Sequence, residues 1–182
     1  IFSRAINSRL QKQEVMLKVG YWTSLDYRKV LTRILPLLFL PAMALAAEHE
    51  VQSVSHRNYE SMFFDPHYLE VEPGESVAFV VTDSDHQPQS VFIPAGADHW
   101  KAEKGKSTTV NFDHEGLYIY DCAYHNVMGM AGVILVGNPV NLEDARLFYE
   151  QYKKQTFAMN KDRLDPVWDL INQSQIDQAR AE

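Results

Sequence analysis

Residues 122–130 read Cys-Ala-Tyr-His-Asn-Val-Met-Gly-Met, which places a thiolate, an imidazole and two thioethers within nine positions. A second imidazole, His86, closes the earlier apolar run VAFVVTDSDH. Two histidines, one cysteine and a weak axial methionine are the donor set of a copper centre that changes oxidation state. The soft sulfur donors favour Cu(I), the imidazoles also suit Cu(II), and a compromise geometry serves both with little rearrangement. Cys122 is the single cysteine of the chain. An internal disulfide, a four-cysteine zinc site and a C-x-x-C redox pair are therefore excluded. Zinc accepts thiolate and imidazole as well, but has no use for an axial thioether. By itself an inward cysteine is usually only a small buried hydrophobe, and its neighbours are what give Cys122 significance. His49, His56, His67, His99 and His114 fall in polar or turn segments and read as exposed and unliganded.

These residues need a rigid frame, and the surrounding sequence predicts one. Short runs of strand character cover His49–His56, Ser61–Phe64, Tyr68–Glu72, Ser76–Thr82, Ser90–Ile93, Ser107–Phe112, Leu117–Cys122 and Gly132–Val136. Turn signals such as Asp65-Pro66, Pro73-Gly74 and Glu115-Gly116 separate them, a spacing that predicts an antiparallel all-β sandwich or barrel. Strand parity puts Tyr118, Tyr120 and Cys122 on one face and Leu117, Ile119 and Asp121 on the other. An aspartate suits solvent, so Cys122 is expected to point inward. Beyond Asn138 the period changes. Leu142, Ala145, Phe148, Tyr149 and Tyr152 recur at helical spacing behind Asn141 as cap, and a second helix opens at Asp165-Pro166 with Val167, Trp168 and Ile171 apolar. Both helices are expected to pack on the sandwich.

The front of the chain reads as an address. Ile34–Ala47 is a fourteen-residue apolar run broken by Pro36 and Pro41, preceded by Arg28, Lys29 and Arg33. It is too short to span a bilayer, and Ala44-Leu45-Ala46 supplies a small-x-small cleavage pattern. This is a secretory signal peptide with its cut near Ala46, and it predicts a periplasmic protein. Residues 47–182 hold ten Lys/Arg against twenty-two Asp/Glu, a body near −12. Such a surface repels nucleic acid and anionic lipid and favours cationic partners.

The C-x-x-H-x-x-x-x-M spacing of Cys122, His125 and Met130 resembles that of pseudoazurins, small cupredoxins related to plastocyanins. The Met-Gly-Met ending, the stretch MFFDPHYLEVEPGESVAF (62–79) and a helical tail after VGNPVNLED are similar too. The resemblance implies a Greek-key cupredoxin β-sandwich of about eight strands with two C-terminal α-helices, preceded by the signal peptide. It divides the chain into residues 1–46 (upstream segment and leader), 47–139 (sandwich with a type 1 copper site) and 140–182 (helices).

It also implies one Cu(I)/Cu(II) ion held by His86, Cys122, His125 and Met130, with His125 near the surface to pass the electron. Met128 sits at the shorter spacing of amicyanin-like loops and competes for the axial place; otherwise it joins Met62 on an apolar docking rim. Tyr118 matches the family's corner tyrosine. Three features depart from the family. Asp85-His86-Gln87-Pro88 replaces Gly-His-Asn, although the Gln87 N–H can still reach the Cys122 sulfur. Tyr124 stands where proline is common, and its N–H is expected to give the thiolate a second hydrogen bond. The acidic body replaces a basic face. The implied function is type 1 (blue) copper electron transfer with no enzymatic activity. Expected partners are redox proteins such as a c-type cytochrome or a periplasmic reductase, with no nucleic acid, no stable membrane insertion after cleavage and a monomeric state. The alternative is a periplasmic copper-storage or chaperone protein using the same ligands. A multicopper oxidase or nitrite reductase needs more ligands than the chain offers.

Overall fold

In the computed structural model, residues 48–181 are described; the leader and its cleavage position lie outside the described residues. Eight strands run as β1 (Glu48–Arg57), β2 (Glu60–Asp65), β3 (Tyr68–Val71), β4 (Glu75–Val81), β5 (Pro88–Phe92), β6 (Thr108–Phe112), β7 (Gly116–Cys122) and β8 (Ala131–Val136). Two helices follow, α1 (Leu142–Thr156) and α2 (Asp165–Ala181). The strands form two four-stranded sheets ordered β2-β1-β4-β6 and β3-β8-β7-β5. Every expected strand is present, but the pairing is mixed. β1 runs parallel to β4 and β3 parallel to β8, because chain crossovers between the sheets return these strands in the same sense. Alternating hydrophobicity reports which face is buried and is silent on direction.

Two cores share the second sheet. Between the sheets, Val51, Phe64, Phe79 and Phe112 pack against Tyr118, Tyr120, Cys122, Met130 and Ile134. On the outer face, Leu117, Ile119, Val133 and Leu135 pack against Ala145, Tyr149, Trp168 and Ile171 of the helices. All seven residues of β7 are buried as a result. Asp121, expected in solvent, is fully buried, since α1 covers its face of the strand. Cys122 still points inward, as parity requires. The corner at the start of β7 is fixed by the Tyr118 hydroxyl, which donates to the His114 carbonyl at 3.0 Å. Among the described residues no helix is long and apolar enough to cross a membrane.

Asn141 precedes α1 as expected but does not cap it with its side chain. Its amide instead grips β7: Oδ1 accepts from the Leu117 N–H at 2.7 Å and Nδ2 donates to the Leu117 carbonyl at 3.0 Å. This pair fixes where the helical layer meets β7. Asn141→Ala strands both backbone groups of a fully buried residue, so unfolding in urea is expected to show a loss of about 2–3 kcal/mol. A loss below about 0.5 kcal/mol would mean that water or another group satisfies Leu117.

Candidate metal centre

Two loops at one end of the sandwich supply the site. His86 lies between β4 and β5, and the rest come from the turn between β7 and β8. That turn begins at Cys122, passes through a 3-10 turn at Asn126–Met128 and reverses at Gly129 with φ 72°. A side chain at 129 would be strained in φ, and its Cβ would stand 2.8 Å from the Met159 carbonyl oxygen. The turn is closed internally by His125 N–H to Cys122 O (3.0 Å), Met128 N–H to His125 O (2.9 Å) and Cys122 N–H to Met130 O (3.0 Å).

The expected donors converge. Cys122 Sγ lies 3.8 Å from His86 Nδ1 and 3.5 Å from His125 Nδ1, and the two imidazole nitrogens are 3.3 Å apart. A point equidistant from the three atoms lies about 2 Å from each, close to a metal–nitrogen bond length. His86 and Cys122 are fully buried, whereas His125 is half-buried. Met130 is fully buried in the same core as Cys122. Met128 is partly buried in the same turn, Met62 is partly buried against the core that holds Cys122 and Met130, and none of the five remaining histidines joins the cluster. His56, His99 and His114 are exposed, while His49 and His67 are half-buried and pair with Glu75 and Glu60.

With Nδ1 of His86 turned into the site, its ring proton is assigned to Nε2, which faces Ser55 Oγ at 3.0 Å and Asp83 Oδ1 at 3.4 Å. The Ser55 hydroxyl donates in turn to Asp83 at 2.5 Å. That bond holds the Asp83 carboxyl below its usual range. A carboxylate behind a histidine fixes ring orientation and raises its donor strength. Ser55 carries no sequence signal, and Asp83 announces itself only by standing three residues before His86. The Gln87 N–H donates to Cys122 Sγ at 3.4 Å, as expected. Tyr124 gives the sulfur no second bond; its ring turns outward beneath Lys104, whose ammonium lies 4.5 Å from the ring centroid. On the far side of the strand, Asp121 accepts from the Tyr152 hydroxyl and from Gln89 Nε2. Burial pushes its carboxyl up, opposed by these bonds and one with Asn126.

A sandwich that ends in a half-open triangle of two imidazole nitrogens and one thiol sulfur, with a buried thioether in the adjoining core, defines a single-copper cupredoxin. Residues 50–137 match the family of copper binding proteins, plastocyanin/azurin family. A pseudoazurin of Methylorubrum extorquens is 36% identical over 131 residues, covering 70% of this chain and 84% of that one. A pseudoazurin of Paracoccus pantotrophus is 35% identical over 113 residues, covering 60% of this chain and 78% of that one. The refined crystal structure of pseudoazurin from Methylobacterium extorquens superposes with a TM-score of 0.60 at 34% identity, over 68% of this chain and 98% of that one. The chain therefore belongs to the pseudoazurins of the plastocyanin/azurin family, and its cofactor is copper.

Burial holds the His86 imidazole below its ordinary value of 6.5, partly opposed by Asp83. In the metal-free protein the unfolded chain takes up this proton at a higher pH than the native state does. Stability is therefore full at neutral pH and is lost as pH falls below about 6.5. The urea midpoint of the metal-free protein should be lower near about pH 5 than near about pH 8, and His86→Asn should flatten that slope. An identical slope in His86→Asn would assign the pH effect to other groups.

Proposed function

We propose that this chain is a periplasmic type 1 copper protein that carries single electrons between redox partners and transforms no substrate. His86, Cys122 and His125 are assigned as the equatorial ligands and Met130 as the axial one. The observation that carries the assignment is the 3.3–3.8 Å triangle of two Nδ1 atoms and one Sγ. Its three donors match the trigonal His2Cys set, and Met130 completes it with no position reserved for substrate.

Bound copper supplies a one-electron couple. The chain supplies the rest. Donors fixed by two loops and a packed core keep one geometry in both oxidation states, which lowers the reorganisation that transfer costs. The Gln87 N–H draws charge from the thiolate and favours the reduced state. Of the two imidazoles at the site His125 is the one not fully buried, and the exposed Tyr124 and Val127 flank it in sequence, giving an apolar surface for brief docking. Lys104 stands over Tyr124, so a partner meets a local cation before the acidic remainder of the body. The apolar run of residues 34–47 with its basic flank supports export. A c-type cytochrome or a periplasmic reductase fits these requirements as partner, and the exchange requires no lasting complex.

Copper(II) titration of the protein is expected to give an intense thiolate-to-copper band that one electron per protein bleaches and reoxidation restores. Cys122→Ser should abolish the band while the metal-free fold keeps its melting point. Met130→Leu should retain the band and raise the reduction potential by removing the axial donor, whereas Met128→Leu should leave it unchanged. A shift confined to Met128→Leu would exchange the two methionines. Copper that binds but does not cycle reversibly would instead favour storage or chaperoning.

A further inference from the structure

The segment joining α1 to α2 lies along the copper loop and occupies three of its carbonyls in succession. Ala158 and Met159 N–H both donate to Val127 O at 2.8 and 3.2 Å, and Asn160 Nδ2 donates to Met128 O at 2.9 Å. Arg163 takes the third. Its Nη1 donates to Gly129 O at 2.9 Å and also to Met62 O at 2.6 Å. Its Nη2 donates to Ser61 O at 3.0 Å, and its Nε faces the Glu60 carboxylate at 3.2 Å. The side chain is only 6% exposed, so each of these donors would otherwise be stranded.

Both carbonyls on Nη1 belong to residues in the left-handed region, Met62 at φ 49° and Gly129 at φ 72°. A methionine persists there only where its surroundings hold it. Gly129 is the residue before Met130, and their shared peptide carries the carbonyl that Arg163 grips. The planar guanidinium holds the Met62 and Gly129 carbonyls on Nη1, the Ser61 carbonyl on Nη2 and the Glu60 carboxylate on Nε at once; an ammonium, with a single donor atom, cannot span all four.

We propose that Arg163 is a positioning residue for Met130, clamping the Gly129–Met130 peptide to the Ser61–Met62 segment so that the Met130 thioether is held where it would complete the copper site beside His86, Cys122 and His125. The proposal rests on Met130 being the axial ligand. The clamp makes the C-terminal helical region a working part of the metal site in addition to a cover for the sheet.

The test compares Arg163→Lys, which keeps the charge and loses the fork, with Arg146→Lys, whose guanidinium donates to Asn172 away from the site at 3.3 Å. In the copper-loaded protein, Arg163→Lys is expected to alter the ratio of the two thiolate-to-copper bands and the rhombicity of the Cu(II) resonance, both of which follow the axial bond. In the metal-free protein, the Met130 amide should exchange with solvent at least about tenfold faster while amides in the centre of β8 keep their rates. Arg146→Lys should match wild type in every respect. A lowered melting point with unchanged spectrum and unchanged Met130 exchange would show a merely structural role and overturn the proposal. A wild-type protein with no thiolate-to-copper band would instead sink the ligand assignment and leave the clamp to be judged on exchange alone. Should Arg163→Lys not fold, Arg163→Gln gives the same comparison. The wild-type protein supplies a further check, since fast exchange of the Arg163 Nη1 protons, or no coupling between them and the Gly129 carbonyl carbon, would also overturn the clamp.

Discussion

Gln87 joins the two loops that make the metal centre, and the geometry of the site depends on it. Its N–H donates to Cys122 Sγ while its carbonyl accepts from the Ala123 N–H at 3.0 Å. One residue on the His86 side is thus tied through both its backbone groups to the Cys122 side. The neighbouring Pro88 pairs with Cys122 across β5 and β7, so the two-bond bridge continues directly into the sheet. The Gln87 side chain reaches the other way, donating to Ala102 O at 2.9 Å, and Gly105 N–H reaches His86 O at 2.8 Å. His86 is consequently held by backbone contacts on both flanks and by Ser55 and Asp83 behind its ring. A site made from loops acquires the stiffness of the strands they connect.

That stiffness is inherited from burial on both faces of β7. A strand with one wet face could shift by relaxing into solvent. Here the inner face meets Phe64, Phe79 and Phe112, and the outer face meets the helices. Asp121 shows what this arrangement imposes. A carboxylate next to Cys122 is taken out of water, a change that raises its pKa and is tolerable only because Tyr152, Gln89 and Asn126 satisfy it. The same bonds connect α1 to the ligand loop, so the polar group inside this layer specifies position where apolar neighbours supply cohesion.

Much of this was legible in the sequence. Strand period, turn residues and the change to helical spacing located eight strands and two helices, and the donor set converged as its chemistry required. Local pattern speaks to local structure, and the features it missed are those decided by distant partners. Strand direction in the β1–β4 and β3–β8 pairs depends on crossovers between sheets. Asp121 looked solvated because its polarity was read without the helix that covers it. Asn141 looked like a cap, the commonest use of that residue before a helix, yet Leu117 offered two buried backbone groups that needed it more. Tyr124 was expected to serve the thiolate through its N–H; the loop aims that group elsewhere, a matter of dihedral angles that residue type leaves open. Ser55 and Arg163 carried no signal, because their roles exist only when segments far apart in the chain are brought together.

The contact between Arg163 and Ser61 spans 102 positions, from β2 to the segment between α1 and α2. Closing so long a loop costs entropy that only accumulated native contacts can offset, so such pairings form late. The proposed equatorial donors, Cys122 and His125, lie three residues apart and meet His86 where β5 and β7 pair. The proposed site thus rests on closures of unequal length, 36 positions between His86 and Cys122 and 102 between Ser61 and Arg163, so its axial side depends on far more of the chain than its trigonal side does.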